Sequence, residues 1–112
     1  MTFDANDVVI VPFPFTDRDV RRRRPAVVLS GATFNAEAGH LVCAMVTSAR
    51  ASVWASDVTV SDLAAAGLST QCVVRMKLFT IEAGLVLRRA GQLSAEDARG
   101  INAAVRGVLA AG

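Results

Sequence analysis

Short β-branched runs dominate this chain. DVVIVPFPF begins at Asp7, PAVVLS at Pro25, LVCAMVT at Leu41 and CVVRM at Cys72, all within 112 residues. Val, Ile and Phe at such density suit a pleated, half-buried surface better than a helix. No run approaches the roughly 18 apolar residues of a membrane span, and no signal peptide is visible at the start. With 53% apolar residues the chain can bury one core and has little left for a second. The expectation is a single domain over 1–112, mainly β with helical additions, in a cytoplasmic protein.

Local chemistry places the elements. Proline cannot donate a ladder hydrogen bond, so the first strand, starting at Asp7, should end or bulge near Pro12 and run into an extended loop. Pro25 to Ser30 gives a second strand stopped by Gly31, and Leu41 to Thr47 a third. Between them, Ala32 to His40 is expected to be a connector, marked by Asn35 and Gly39. Asp57 to Val60 suits a short strand, and Ser61 to Gly67 one or two helical turns with Ser61 as cap. Cys72 to Met76 and Leu78 to Ile81 supply one or two strands, and Leu85 to Leu87 another. Ser94-Ala95-Glu96-Asp97 has the capping-box pattern, and Ala98, Ile101, Val105, Val108 and Leu109 form one apolar stripe, predicting an amphipathic C-terminal helix. Closely spaced short strands with a terminal helix predict a small, strongly bent β-barrel, a closure that would also protect strand edges.

Charge is local. The net charge is +2, but Thr16 to Arg24 (TDRDVRRRR) carries five Arg against two Asp and so contributes +3, leaving −1 for the rest. Such a run is either a solvated loop or an electrostatic footprint for a nucleic-acid backbone. Arg24 stands apart from Arg21, Arg22 and Arg23. As the residue before Pro25 it is held extended, while the other three are expected to remain mobile. It either pairs with Asp17 or Asp19 at the strand entry or directs two donors at a phosphate.

Thr47 and Ser48 close an apolar strand, either as turn formers bonding nearby backbone or as hydroxyls presented to the same pocket. Trp54, the only Trp, sits among small polar residues and is expected to pack on the core, the alternative being a face for stacking a base. His40 is the sole histidine and has no evident partner. Arg75 and Lys77, inside VVRMKLF, should share one face of a strand. Cys43 and Cys72 lack metal or redox spacing and read as small buried hydrophobes. Phosphate-cradling glycines, metal-ligand spacing and a nucleophile elbow do not appear, so neither cofactor nor metal is expected.

Taken in order, DVVIVPFPF, a charged loop, RRPAVVLS, CAMVTS, CVVRMKLFTI and AGQLS before a helix resemble the MazF/PemK family of toxin-antitoxin endoribonucleases, from about Asp7 to the last helix. The resemblance implies an SH3-like barrel, a homodimer with single-stranded RNA across its groove, metal-independent cleavage at short sequences, and an antitoxin that blocks the groove. It puts the catalytic Arg on Arg24 and the catalytic Thr on Thr47, with Ser48 beside it and Arg75 near the site. Lys77 stands where some members have an acidic residue. A loop histidine before Arg24 is absent, leaving Asp17 and Asp19 as the nearby carboxylates. The expected substrate contacts are therefore Ser48, Arg75, Lys77, Asp17, Asp19, Arg21, Arg22 and Arg23. Two rivals stay open: an RNA-binding barrel without catalysis, and a protein-binding toxin resembling the CcdB gyrase poisons.

Overall fold

The computed structural model describes residues 2–13, 22–48 and 53–110. In chain order the elements are β1 (Asp7–Phe13), β2 (Arg22–Val28), α1 (Ala32–Ala38), β3 (His40–Thr47), β4 (Val58–Thr59), α2 (Leu63–Ala66), β5 (Val73–Glu82), a 3-10 turn (Ala83–Leu85), β6 (Arg88–Gln92) and α3 (Ala95–Val108). The strands form one antiparallel sheet in the order β4-β5-β3-β2-β1-β6, curled into a half-barrel. The bent, mainly β architecture expected from the sequence is the one found.

Uninterrupted apolar runs mean that both faces of the central strands are buried. Val8, Val27, Ala44 and Val74 face one core, completed by Ile101 of α3 and Ala66 of α2. Their chain neighbours Val9, Val28 and Cys43 face the other, with Phe3, Leu41 and Ile81. β5 bends where its register with β3 shifts: Met45 pairs with Arg75 but Ala44 with Leu78, leaving Met76 and Lys77 extra in a bulge. The two apolar runs from Cys72 to Ile81 are thus one bulged strand. Pro12 fits inside β1 because β6 pairs no further along β1 than Ile10, so no β6 ladder bond calls for a donor at Pro12.

Several local expectations are corrected. Ala32–Ala38 is a helix, ended by Gly39 in the left-handed region at φ 66°. Its one buried residue is the polar Asn35, so no apolar stripe marks it. The Asn35 amide instead donates to the carbonyls of Phe3 and Ser30 at 3.0 Å and accepts from Ser30 Oγ. Leu85 and Leu87 are exposed and flank no strand of their own; the last strand is the polar β6. Arg22 and Arg23 lie in β2, opposite Phe13 and Pro12, not in a mobile loop.

Asp97 holds the two helices nearest the sheet edges together. Asp62, not Ser61, caps α2, its side chain accepting from Ala65 N. Ser61 is engaged by α3: its Oγ donates to Asp97 at 2.5 Å, while the backbone N–H groups of Ser61 and Asp62 donate to the same carboxylate at 3.0–3.1 Å. Ser94 caps α3 as expected, accepting from Asp97 N. Burial by itself would push the Asp97 carboxyl up, but the donors from Ser61 and Asp62 outweigh it and hold the group below its usual range. On the other side of α2, backbone meets backbone. A Cβ on Gly67, itself at φ +71°, would fall on the Ala90 carbonyl, and one on Gly91 on the carbonyl of Ala65.

Three substitutions test this packing. Asp97→Asn lowers stability in urea by about 1–3 kcal/mol at neutral pH. A carboxyl with a depressed folded-state pKa stabilises above its unfolded value of about 3.9, and that stabilisation is lost as pH falls through the folded value. The gap between wild type and Asp97→Asn therefore closes on acidification below about pH 4. Gly91→Ala destabilises by about 1–3 kcal/mol through overpacking. Gly107→Ala, on α3 with open space around it, stabilises by about 0.5 kcal/mol.

Candidate functional site

The pairing of β2 with β3 sets the site. Ala26 pairs with Met45, Val27 with Ala44 and Val28 with Cys43. Arg24 and Thr47 lie two residues beyond the last of these pairs on their respective strands. The two sequence signatures thus meet on shared cavities just past the end of the apolar pairing. Arg24 and Thr47 are half-buried and Ser48 is exposed.

These residues line adjoining cavities. One, of about 400 Å³, is bounded by Arg24, Pro25, Thr47, Ser48, the segment from Leu68 to Cys72, and Arg88. The other, of about 200 Å³, is bounded by Arg24, Thr47, Phe13, Met45, Arg75 and Lys77. Arg24 and Thr47 belong to both. A larger cavity of about 470 Å³ lies between α1 and the N-terminal segment, lined by Phe3, Leu41 and α1. It contains none of the cations; its one charged lining residue is the acidic Glu37, and its buried amide, Asn35, is already committed to Ser30 and Phe3.

Among the described residues no carboxylate pairs with Arg24, and the Thr47 hydroxyl has only the Ser48 carbonyl, at 3.5 Å. That distance is too long to occupy the hydroxyl. Among the described residues a guanidinium and a hydroxyl are thus left without a committed partner, a combination suited to an oxyanion. Asp17, Asp19 and Arg21 lie outside the described residues. Arg22 and Arg23 are not brought to these cavities; they border another, with Pro12 and the segment from Gly84 to Leu87. His40 is removed from the site, at the opposite end of β3 from Thr47, about 23 Å along the strand. Its Nδ1 lies 2.9 Å from the Ala38 carbonyl.

Arg75 is differently placed from Arg24. Its Nε and Nη2 donate to the two oxygens of Asp57 at 3.0 and 2.8 Å, and the side chains of the pair keep only 11% and 6% of their surface exposed. Those hydrogen bonds hold the Asp57 carboxyl below its usual range. Trp54 does not pack on the core. It is exposed, with the Arg75 guanidinium 5.3 Å from its ring centre. Lys77, lifted by the β5 bulge, is exposed on the same small cavity. Cys43 and Cys72 are free and buried, and burial pushes the Cys43 thiol up to about 12, which removes it as a nucleophile at neutral pH.

Sequence reading missed Asp57, Arg88 and the polar wall Ser69-Thr70-Gln71. Arg88 had a visible signal in the basic pair after Leu87. Asp57 had none, because its partner lies 18 residues further on. Among the described residues, no three His, Cys, Asp or Glu side chains group to hold a metal ion, and no helix is long and apolar enough to cross a membrane.

A curled antiparallel half-barrel with a cation and a hydroxyl lining shared cavities beside its central strand pair defines a small, mainly β protein of a compact half-barrel class. Over residues 4–109 the chain matches the model of the PemK-like, MazF-like toxins of type II toxin-antitoxin systems, and it belongs to that family. Solved structures share the fold. A chain of the MazE-MazF crystal structure from Deinococcus radiodurans is 22% identical over 100% of both chains, with a TM-score of 0.80. The Mycobacterium tuberculosis toxin MazF-mt6 is 20% identical over 90% of this chain and 93% of its own, with a TM-score of 0.73. An endoribonuclease solved with its cognate antitoxin from a mycobacterial species is 13% identical over 95% and 91%, with a TM-score of 0.72. No curated protein matches the sequence.

Proposed function

We propose that this toxin is a sequence-specific, metal-independent endoribonuclease that cuts single-stranded RNA by attack of a ribose 2′-hydroxyl on the adjacent phosphate. The observation that carries the reading is the β2–β3 register, which brings Arg24 and Thr47 together on both cavities. Family membership supports it, as does the fold shared with an endoribonuclease.

In-line attack by the 2′-oxygen expels the 5′-oxygen and leaves a 2′,3′-cyclic phosphate and a free 5′-hydroxyl. The nucleophile is supplied by the substrate, so the protein's task is to orient the strand and stabilise charge growing on the phosphorane oxygens. Arg24 donates to those oxygens, and its fixed charge suits it to that task better than to proton transfer. The Thr47 hydroxyl donates to the same centre. Ser48 and Lys77 contact the flanking backbone, and the exposed Arg22 and Arg23, with Arg21, guide the strand toward the site. The proton lost by the 2′-hydroxyl is balanced by the one gained at the 5′-oxygen, and Asp17 and Asp19 are the carboxylates nearest Arg24 in the sequence. A homodimer that places RNA across its groove and a cognate antitoxin that covers the groove complete the reading, in keeping with the MazE-MazF complex on which the same fold is seen.

Purified protein incubated with long RNA in EDTA is expected to give fragments with cyclic 3′ ends. Arg24→Ala and Thr47→Ala each slow cleavage by about 100-fold or more while keeping wild-type circular dichroism. A strand with one deoxyribose at the cleaved position survives. Intact RNA in EDTA, or cutting of the deoxy-substituted strand, overturns the mechanism.

A further inference from the structure

We propose that Trp54, Arg75 and Asp57 form a preformed platform on which a nucleobase flanking the scissile phosphate stacks, with Asp57 as the positioning residue. The ligand, single-stranded RNA, rests on the endoribonuclease reading above.

The usual order of burial is inverted here. A large aromatic ring is 38% exposed while the charged pair next to it is almost covered. The backbone of Trp54 is also tied down although it lies in a loop, and its ring rests on the Arg75 guanidinium. Trp54 N donates to Asp57 Oδ2 at 3.0 Å, Asp57 N donates to the Trp54 carbonyl at 3.0 Å, and the same carboxylate grips Arg75 on β5. One carboxylate thus fixes both the loop and the guanidinium. An exposed aromatic held in this way loses little freedom when a ligand covers it.

Position and charge point to a base as the occupant. Arg75 lies against the Trp54 ring and also lines the small cavity with Arg24, Thr47 and Lys77, so the indole stands one guanidinium beyond the proposed phosphate site. The Nε and Nη2 edge of Arg75 is occupied by Asp57. With that edge committed, Arg75 and Trp54 contribute flat surface, while Arg24 and Lys77, which no described carboxylate answers, take the phosphate. Such surfaces stack any base without reading its edges, and they favour purines through overlap area.

Trp54 is the only Trp and the chain has no Tyr, so its emission reports on this position alone. The full chain is titrated with short 2′-O-methyl oligonucleotides of A, of C and of U, which cannot undergo 2′-hydroxyl attack, and with an abasic strand of equal phosphate number. Saturable quenching by the base-bearing strands, strongest for A, and none by the abasic strand is the expected result. By anisotropy of a labelled strand, Trp54→Ala weakens binding about 5- to 150-fold, and Trp54→Phe recovers most of the loss. Asp57→Asn, with circular dichroism unchanged, lowers the anisotropy of Trp54 emission and weakens binding, and Asp57→Glu restores part of both. Emission indifferent to every strand, emission that follows protein concentration instead of oligonucleotide, or wild-type affinity in Trp54→Ala overturns the platform. If the strands bind and quench but the protein cuts no RNA, the platform stands and the nuclease reading falls.

Discussion

Register between β2 and β3 is the constraint on which the remaining structure depends. Val27 and Val28 on one strand, Cys43 and Ala44 on the other, are fully buried on alternate faces of the sheet. A slip of one residue would exchange the two cores and drive every side chain into the wrong one. Apolar packing therefore fixes the register, and Arg24 and Thr47 come to line the same cavities with no side-chain hydrogen bond between them. The polar site is a by-product of hydrophobic order, which is why its members are free to act on something else.

The same order explains what could be read from the residues. The strands with β-branched cores were legible because successive residues in the middle of each run are buried on both faces of the sheet. α1 and β6 were not, for one reason: their decisive contacts are polar. Asn35 replaces the apolar stripe of α1, and β6 is held through Asp7, to which Gln92 donates at 3.1 Å and with which Arg89 pairs at 3.1 Å. Within the site, the Arg24-Pro25 and Thr47-Ser48 signatures were visible because each ends an apolar run. The commitment of Arg75 to Asp57 was not, since it depends on β4 pairing beside β5 and on a bulge that no composition rule marks.

Counting charges along the chain gives a poor picture of the electrostatic surface. Arg75 and Arg89 are each answered by a carboxylate, and Arg89 also lies over the Phe3 ring and donates to the Thr2 carbonyl. Arg24 and Lys77 have no such answer among the described residues and share one small cavity. The fold thus sorts its cations into structural and available ones. An anion approaching the sheet meets a field set by the second group, concentrated where solvent is partly excluded.

The contact of α2 with β6 has a mechanical consequence. Where Gly67 and Gly91 bring two backbones together, no side chain intervenes that could change rotamer and absorb a displacement. The segment after Gly67 forms one wall of the larger cavity at the site, and Arg88 at the start of β6 forms part of it too. The wall from Leu68 to Cys72 and the strand β6 are therefore rigidly coupled, so that neither can shift far without the other and without the β6 pairing to β1.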